Sequence, residues 1–207
     1  RSRRDLRRVN WWMGSHVIMA RALKNHLTVA PGKITEPGAG DGNFLLQVAQ
    51  KLSPPWPAVK ATLLDRQKNV SAGTLASFAK LGWHAEAVVT DVFDWSPSNQ
   101  KDEVIVANLF LHHFEAGRLA ELLHKVSRTA KMFIAIEPRR SALPSLAGKL
   151  LWLIGCNDVT RHDAIISVRS GIAGQEISAL WPDKSNWQLT ERRAGLFSHL
   201  FIAQRRE

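Results

Sequence analysis

The residues with the clearest chemical purpose lie in a short glycine-rich segment near the start of the chain. Glu36 is followed by glycines at every second position, Gly38, Gly40 and Gly42. Glycine permits a tight turn and lets a ligand approach the main chain, because no Cβ stands in the way. The apolar residues after the turn recur at helical spacing, so the first N–H groups of a helix should point at whatever lies above the turn. The segment therefore predicts a strand, a ligand-binding turn and a helix.

Glu36 and Asn43 narrow the type of ligand. A dinucleotide-binding fingerprint, G-x-G-x-x-G, would need a glycine where this chain has Asn43. An acid just before the glycines would repel a pyrophosphate, whereas it could bind an ammonium group directly or through water. The segment therefore favours S-adenosylmethionine, whose tail is a zwitterionic methionine without phosphate, over NAD. The alternative at this point is a tight strand-to-helix turn that binds nothing.

Further polar residues stand where predicted strands end. Asp65, Asp91, Asn108 and Glu137 each follow or close an apolar run. In an open α/β sheet the ligand lies at the carboxyl ends of the strands, so these side chains should surround one site. A carboxylate at Asp65 can accept both hydroxyls of a ribose, Asp91 and Val92 lie where a side chain can take an adenine amino group, and Asn108 would stand beside the reacting centre. Any one acid alone could equally cap a helix or be solvated.

Histidines are the candidate proton acceptors. His112 and His113 directly follow the fourth predicted strand, and His162 lies beside Asp163. A positioned histidine can act as a general base. Only one of the adjacent pair can face a pocket, and the other is expected to pack against or cap the next helix. Asp163 could likewise be a helix cap that leaves His162 exposed. No metal site is expected, because neither cluster has enough ligands at suitable spacing.

Strands and helices that alternate along the chain must position these residues. Strands are predicted at 34–36, 59–64, 85–89, 103–109, 132–136, 188–194 and 198–206, and helices at 5–27 (interrupted at Gly14), 44–52, 67–81, 115–127, 143–153, 162–168 and 174–180. This alternation predicts a parallel, doubly wound sheet. The link at 195–197 is so short that the last two strands must form an antiparallel hairpin.

With these motifs in place, the chain resembles the class I, Rossmann-like S-adenosylmethionine-dependent methyltransferases of the small-molecule type. The matching segments are EPGAGDG at 36–42, LLDR at 63–66, TDVF at 90–93, ANLFLHHF at 107–114 and the hairpin at 188–206. The resemblance covers nearly all of the chain and implies one domain, 1–207. It also implies an α/β, three-layer sandwich with a seven-stranded, mostly parallel sheet of order 3-2-1-4-5-7-6.

The resemblance further implies how the site residues divide. Glu36, Gly38 and Gly40 would hold the methionine end, Asp65 the ribose, and Asp91 with Val92 the adenine. The whole expected cofactor set is Glu36, Gly38, Ala39, Gly40, Asp65, Arg66, Asp91, Val92 and Asn108. The expected cofactor is S-adenosyl-L-methionine, with S-adenosyl-L-homocysteine as its product.

The acceptor is expected beneath two apolar covers, the N-terminal helix at 5–27 and a helical insertion at 143–183. Aromatic residues such as Trp11, Trp152 and Trp181 favour a hydrophobic or aromatic small molecule, although packing of the covers onto the sheet would explain the same residues. O-methylation is then the simplest reaction, with C-methylation close behind. Arg139, Arg140 and Arg161 could bind a carboxylate or phosphate of the acceptor, although surface salt links would explain at least two of them.

The net charge of +10 favours anionic partners, so an RNA methyltransferase is the first alternative. Against it, no RNA-binding module is appended, and Asn108 is followed by Leu109 rather than by the proline pair of many base methyltransferases. The second alternative is a non-catalytic partner subunit, which the intact turn and acids disfavour. The single cysteine, Cys156, together with the lack of a secretory signal or a long apolar run, predicts a cytoplasmic protein without a membrane span. The oligomeric state is open.

Overall fold

The computed structural model describes residues 14–96, 103–140 and 171–206. The strands in these ranges are β1 (Lys33–Pro37), β2 (Lys60–Asp65), β3 (His84–Val89), β4 (Glu103–Asn108), β5 (Ala130–Pro138), β6 (Trp187–Ala194) and β7 (Ser198–Arg205). They form one sheet in the order β3-β2-β1-β4-β5-β7-β6. The first five strands of that order run parallel, and β7 is antiparallel to both β5 and β6. The predicted topology, including the C-terminal hairpin, is therefore confirmed.

Helices cover both faces of the sheet. Those within the described ranges are α1 (Ser15–His26), α2 (Asn43–Leu52), α3 (Ala72–Lys80), α4 (Ala116–Thr129) and α5 (Glu176–Leu180). Successive side chains of the central strands point to opposite faces of the sheet. In β4, Val104 and Val106 pack with α1, α2 and α3, whereas Ile105 and Ala107 pack with α4 and α5. The sheet thus lies between two apolar cores, as a three-layer sandwich requires.

The third helix begins five residues later than the sequence pattern indicates. Helix α3 starts at Ala72, because the Ser71 side chain accepts a hydrogen bond from the Thr74 N–H at 3.0 Å and caps the helix there. Upstream, the Gln67 N–H donates to Asp65 Oδ1 at 2.9 Å, which holds the chain in a turn. The prediction of a helix from Gln67 was wrong, and the segment between Asp65 and Ser71 remains a loop at the end of β2.

The two predicted covers fall only partly within the described residues. Helix α1 begins at Ser15, after Gly14 in a left-handed conformation, and it buries Met19 and Leu23 in the core that α2 also faces. Residues 5–13, and the predicted helices at 143–153 and 162–168, lie outside the described ranges. In the part of the chain that the structure describes, no helix is both long enough and apolar enough to cross a bilayer.

A buried polar cluster fixes the short helix α5 to the C-terminal hairpin. Glu191 accepts hydrogen bonds from the N–H groups of Ile177 and Ser178 at 3.2 and 2.7 Å, and His199 Nε2 lies 2.8 Å from its Oε1. Burial alone would raise the pKa of Glu191, but the bonds from His199 and the helix outweigh it and hold this pKa below its ordinary value. The cluster ties the return of the chain at 171–180 to the edge of the sheet.

Candidate active site

The glycine turn connects β1 to α2 in three left-handed steps. Gly38, Gly40 and Gly42 have φ angles of 69°, 56° and 75°. A Cβ at Gly38 would lie 2.3 Å from the Phe110 ring, so only glycine fits there, whereas a Cβ at Gly40 would meet nothing of the described chain within 4 Å. The turn is therefore packed against Phe110 at Gly38 and open at Gly40, where a ligand can approach the main chain.

Asp65 joins the end of β2 to this turn. Its Oδ2 accepts a hydrogen bond from the Gly40 N–H at 2.8 Å, while its Oδ1 accepts one from Gln67. A carboxylate oxygen has two lone pairs, so each oxygen keeps capacity for a further donor. The side chain is thus held rigidly beside the open glycine.

Asp91 occupies the equivalent place after the neighbouring strand β3. Its Oδ1 accepts a hydrogen bond from the Phe93 N–H at 2.9 Å, and Arg66 Nε lies 3.6 Å from its Oδ2. The Thr90 N–H donates to the Asp65 carbonyl at 3.0 Å, which brings the ends of β2 and β3 together. Two carboxylates therefore stand side by side at the carboxyl edge of the sheet.

Glu36, near the end of β1, is almost fully buried, with 2% of its surface exposed. Its Oε2 has no hydrogen-bond partner among the residues that the structure describes. Burial raises the pKa of Glu36 well above its ordinary value, the nearby Asp41 and Asp65 raise it further, and a hydrogen bond from the Leu45 backbone opposes them. This carboxyl group is an unsatisfied acceptor next to the glycine turn.

The chain turns sharply where β4 ends. Asn108, the last residue of the strand, is buried, and Leu109 follows with a φ of 51°, a left-handed conformation that is costly for a branched side chain. The Leu109 N–H donates to the Ile136 carbonyl at 2.9 Å, which ties this turn to β5. The strained residue redirects the chain into a short 3₁₀ helix, Leu111–His113.

Glu137, near the end of β5, holds that 3₁₀ segment. Its carboxylate accepts hydrogen bonds from the N–H groups of Phe110, Leu111 and His112 at 3.0, 2.8 and 3.3 Å. His112 Nδ1 lies 2.7 Å from Glu137 Oε2, and the side chain of His112 is only 5% exposed. Four contacts to one buried carboxylate thus fix the segment that carries both histidines.

A cavity of about 650 Å³ opens between these strand ends. Its walls carry acidic, basic and aromatic side chains, and the lining residues are Gly38, Leu64, Asp65, Arg66, Gln67, Thr90, Asp91, Val92, Phe93, Phe110, His113, Phe114 and Arg118. Phe114 packs edge-to-face against both Phe93 and Phe110, with ring centroids 5.5 and 5.0 Å away. The cavity therefore has a carboxylate side and an aromatic side.

His113 lies on the wall of this cavity, next to the ring of His112 at a centroid distance of 4.1 Å. Burial lowers the pKa of His113, the neighbouring His112 lowers it further, and Glu137 acts in the opposite direction. A histidine with a lowered pKa is neutral at neutral pH, so its ring can accept a proton.

Comparison with known proteins shows which solved structures share this fold. No protein-family model and no curated protein matches the sequence. A protein from Nostoc punctiforme, described as a candidate O-methyltransferase, superposes with a TM-score of 0.63 at 13% identity, over 92% of this chain and 55% of its own length. The plantazolicin methyltransferase BpumL, solved with SAH bound, superposes with a TM-score of 0.65 at 13% identity, over 94% of this chain and 84% of its own.

The small RNA methyltransferase HEN1 superposes with a TM-score of 0.64 at 15% identity, over 93% of this chain and 25% of its own. These solved structures share the sheet flanked by helices that the chain adopts. The chain has the class I methyltransferase fold. It spans only about half of the Nostoc protein and a quarter of HEN1, so the likeness concerns this fold and not the larger proteins.

Within the methyltransferase fold, the residues predicted to bind the cofactor lie around one edge of the sheet. Five of them line the cavity: Gly38, Asp65, Arg66, Asp91 and Val92. The others, Glu36, Ala39, Gly40 and Asn108, lie in the glycine turn or at strand ends and are not among the residues that line the cavity. Of the predicted bases, His113 lines the cavity, His112 turns towards Glu137, and His162 lies outside the described residues.

Several residues at this edge of the methyltransferase fold are absent from the predicted set. Phe93, Phe114 and Arg118 line the cavity, with the Arg118 guanidinium 3.5 Å from the centroid of the Phe93 ring. Glu137 was expected at this edge with the other polar residues that close strands, but no binding or catalytic role was predicted for it. Among the described residues, no three His, Cys, Asp or Glu side chains come together as ligands for a metal ion.

Proposed function

We propose that this protein transfers a methyl group from S-adenosylmethionine to a small hydrophobic or aromatic acceptor, with O-methylation favoured over C-methylation. The observation that carries the proposal is the cavity that has Asp65 and Asp91 beside the glycine turn and His113 on its wall. The Nostoc protein and BpumL, one of them solved with SAH, support the same reading. A single cysteine fits work in a reducing compartment such as the cytoplasm.

The residues present suit the proposed cofactor. The Oε2 of buried Glu36, which has no partner among the described residues, matches a cationic ammonium group, and the open space at Gly40 admits an amino-acid tail close to the main chain. Asp65 would accept the ribose hydroxyls, while Asp91 and Val92 would hold the adenine. When bound, S-adenosylmethionine supplies an electrophilic methyl group, and the protein contributes positioning and exclusion of water.

The acceptor must lose a proton when an oxygen is methylated. His113 is neutral at neutral pH because its pKa is lowered, so one of its ring nitrogens can take that proton. His112 and Glu137 hold the backbone on which His113 is carried. His112 is the second candidate base, since a carboxylate 2.7 Å from Nδ1 orients the ring in the manner of a general base. Phe110 and Phe114 give the wall an apolar surface that suits an aromatic acceptor.

Binding of S-adenosylhomocysteine, measured by titration calorimetry, tests the cofactor half of the proposal. We expect saturable binding with one site per chain. The absence of any binding would contradict the methyltransferase proposal and leave a protein that has this fold but uses it for something else, as a non-catalytic subunit would. Screening of phenols and other hydroxylated aromatic compounds for methyl transfer then tests the acceptor class.

A nucleic-acid acceptor is the second candidate, because the net charge is +10 and HEN1, a small RNA methyltransferase, shares the fold. RNA binding through phosphate contacts falls steeply with salt concentration. Affinity for a structured RNA should therefore be measured over a salt series. Strong, salt-sensitive binding would favour this candidate, whereas no measurable binding at moderate salt would exclude it.

A further inference from the structure

Glu36 is the least satisfied charged residue of the candidate site. It is 2% exposed, and its Oε2 has no hydrogen-bond partner within the described ranges. The Leu45 backbone N–H, in the first turn of α2, donates a hydrogen bond to the carboxyl group. A carboxylate buried in this way loses the hydration that stabilises its charge. Glu36 therefore needs either a proton or a cation.

The charges around Glu36 are themselves negative. Asp41 and Asp65 are the charged groups that act on it in the described part of the chain, and both disfavour a further negative charge. Asp65 accepts hydrogen bonds from the N–H groups of Gly40 and Gln67, and Asp41 Oδ1 accepts one from the Asn43 N–H at 3.1 Å. Without a ligand, the lowest-cost way to reduce repulsion among three neighbouring carboxyl groups is to keep a proton on the buried one.

We propose that Glu36 exchanges this proton for the ammonium group of the ligand's amino-acid tail, so that ligand binding releases a proton and becomes tighter as the pH rises. The inference rests on the proposed function. In the exchange, the neutral carboxyl group of Glu36 gives its proton to solvent and becomes a carboxylate, and the ammonium group of the ligand, whose charge is unchanged, forms an ion pair with it. No bond in the ligand forms or breaks.

The direction of the pH effect follows from linkage. The pKa of Glu36 is raised in the free protein and is lowered again by the bound cation, so proton release occurs between those two pKa values and vanishes outside them. A single exchanged proton increases affinity by at most about tenfold per pH unit. The ammonium group of the tail remains charged below about pH 8, so it does not titrate in the same window.

Titration calorimetry with S-adenosylhomocysteine tests the exchange. Measurement at one pH in two buffers of different ionisation enthalpy gives the number of protons released on binding, and a pH series gives the affinity. We expect the parent protein to release up to one proton and to bind more tightly as the pH rises. Glu36→Gln, which cannot ionise, should release none and should show no rise in affinity over the same range.

Two controls isolate Glu36. Methylthioadenosine, which has the nucleoside but no amino-acid tail, should bind the parent protein without proton release. Glu86→Gln makes the same change at an exposed residue of β3, outside the site, and should behave like the parent protein. Thermal unfolding of both variants checks that they are folded.

The outcomes are separable. Equal proton release by the parent protein and Glu36→Gln, or equal release with methylthioadenosine and S-adenosylhomocysteine, would overturn the exchange while leaving the proposed function intact. Tight binding without proton release at every pH would do the same. No binding of S-adenosylhomocysteine at any pH would overturn both.

Discussion

His112 and Glu137 are joined by a 2.7 Å contact between ring nitrogen Nδ1 and carboxylate oxygen Oε2. The two residues come from different segments, since Glu137 belongs to β5 and His112 follows β4. The same carboxylate binds the backbone N–H groups of Phe110 and Leu111, so it shapes the whole turn above the sheet. His113 belongs to this turn and lines the cavity. Glu137 therefore determines the position of His113, although Glu137 is not itself among the lining residues.

The open space at Gly40 gives the first prediction. Gly40→Ala should lose most of its affinity for S-adenosylhomocysteine, because the new Cβ would occupy the space in which the ligand approaches the main chain. Alanine in a left-handed conformation also costs about 1–2 kcal/mol of folding free energy. Titration calorimetry measures the affinity, and chemical unfolding measures the stability.

Gly195→Ala is the matched control for that substitution. Gly195 has a φ of 77°, and a Cβ there would likewise meet nothing of the described chain within 4 Å, but this glycine lies in the turn of the C-terminal hairpin. Both variants should lose similar stability, and only Gly40→Ala should lose affinity. If the two variants bound S-adenosylhomocysteine equally well, the glycine turn would not be the ligand-binding element.

Asp65 gives the second prediction. Asp65→Ala should weaken binding of S-adenosylhomocysteine by roughly 10- to 150-fold, because hydrogen bonds to a charged group contribute about 1.5–3 kcal/mol. Its loss also frees the Gly40 N–H that the carboxylate now holds. Asp94→Ala, at an exposed residue near the same edge, should leave the affinity unchanged. A small effect at Asp65 would remove it from the ribose site.

The cofactor side of the site could be predicted from sequence because its signals are local. Glycines at fixed spacing and acids such as Asp65 and Asp91 at the ends of apolar runs stay informative whatever surrounds them. The start of helix α3 shows the limit of such signals. The sequence predicted a helix from Gln67, but the hydrogen bond from the Gln67 N–H to Asp65 and the Ser71 cap together determine where the helix begins.

The aromatic side could not be predicted, because it depends on packing between distant segments. Phe93 and Phe114 meet only when α4 lies against the segment that follows β3, and their ring centroids are then 5.5 Å apart. The role of Glu137 depends on the pairing of β4 with β5, in which Asn108 lies opposite Ile136. Trp181, predicted to contribute to the acceptor cover, instead stacks on Phe133 in the core.

The buried carboxyl group of Glu36 gives the third prediction, on stability without ligand. A carboxyl group whose pKa is raised in the folded state ionises first in the unfolded state, so the free energy of unfolding falls as the pH rises through this window. The fall is at most about 1.4 kcal/mol per pH unit. Glu36→Gln should not show this fall. The free energy of unfolding of Glu36→Gln minus that of the parent protein should therefore increase as the pH rises through the window and then become constant.

Chemical unfolding over a pH series measures this difference. Glu86→Gln serves again as the control, because it makes the same change at an exposed residue outside the site. Parallel curves for the parent protein and Glu36→Gln would mean that the pKa of Glu36 is the same in the folded and unfolded states. That result would contradict the prediction, which rests on the burial of the Glu36 side chain.

His112 and His113 give the last prediction. It applies if one of them acts as the general base that removes the proton of the acceptor. His113→Ala should reduce kcat by roughly 10²–10⁴-fold and remove the acidic limb of the pH–rate profile. Glu137→Gln keeps an acceptor oxygen for the turn but loses the charge that raises the pKa of His113, so the acidic limb should move to lower pH. NMR titration of the His113 ring measures the same shift without an acceptor.

His112→Ala separates the two candidate bases. If His113 is the base, this variant should retain a pH-dependent rate, and the pKa of His113 should rise, because the neighbouring ring that lowers it has gone. If His112 is the base, as its contact with Glu137 would allow, the acidic limb should instead disappear in His112→Ala and persist in His113→Ala. His124→Ala, at an exposed residue of α4, should leave rate and profile unchanged. Unchanged rates in both His112→Ala and His113→Ala would mean that positioning of the acceptor is sufficient without a protein base.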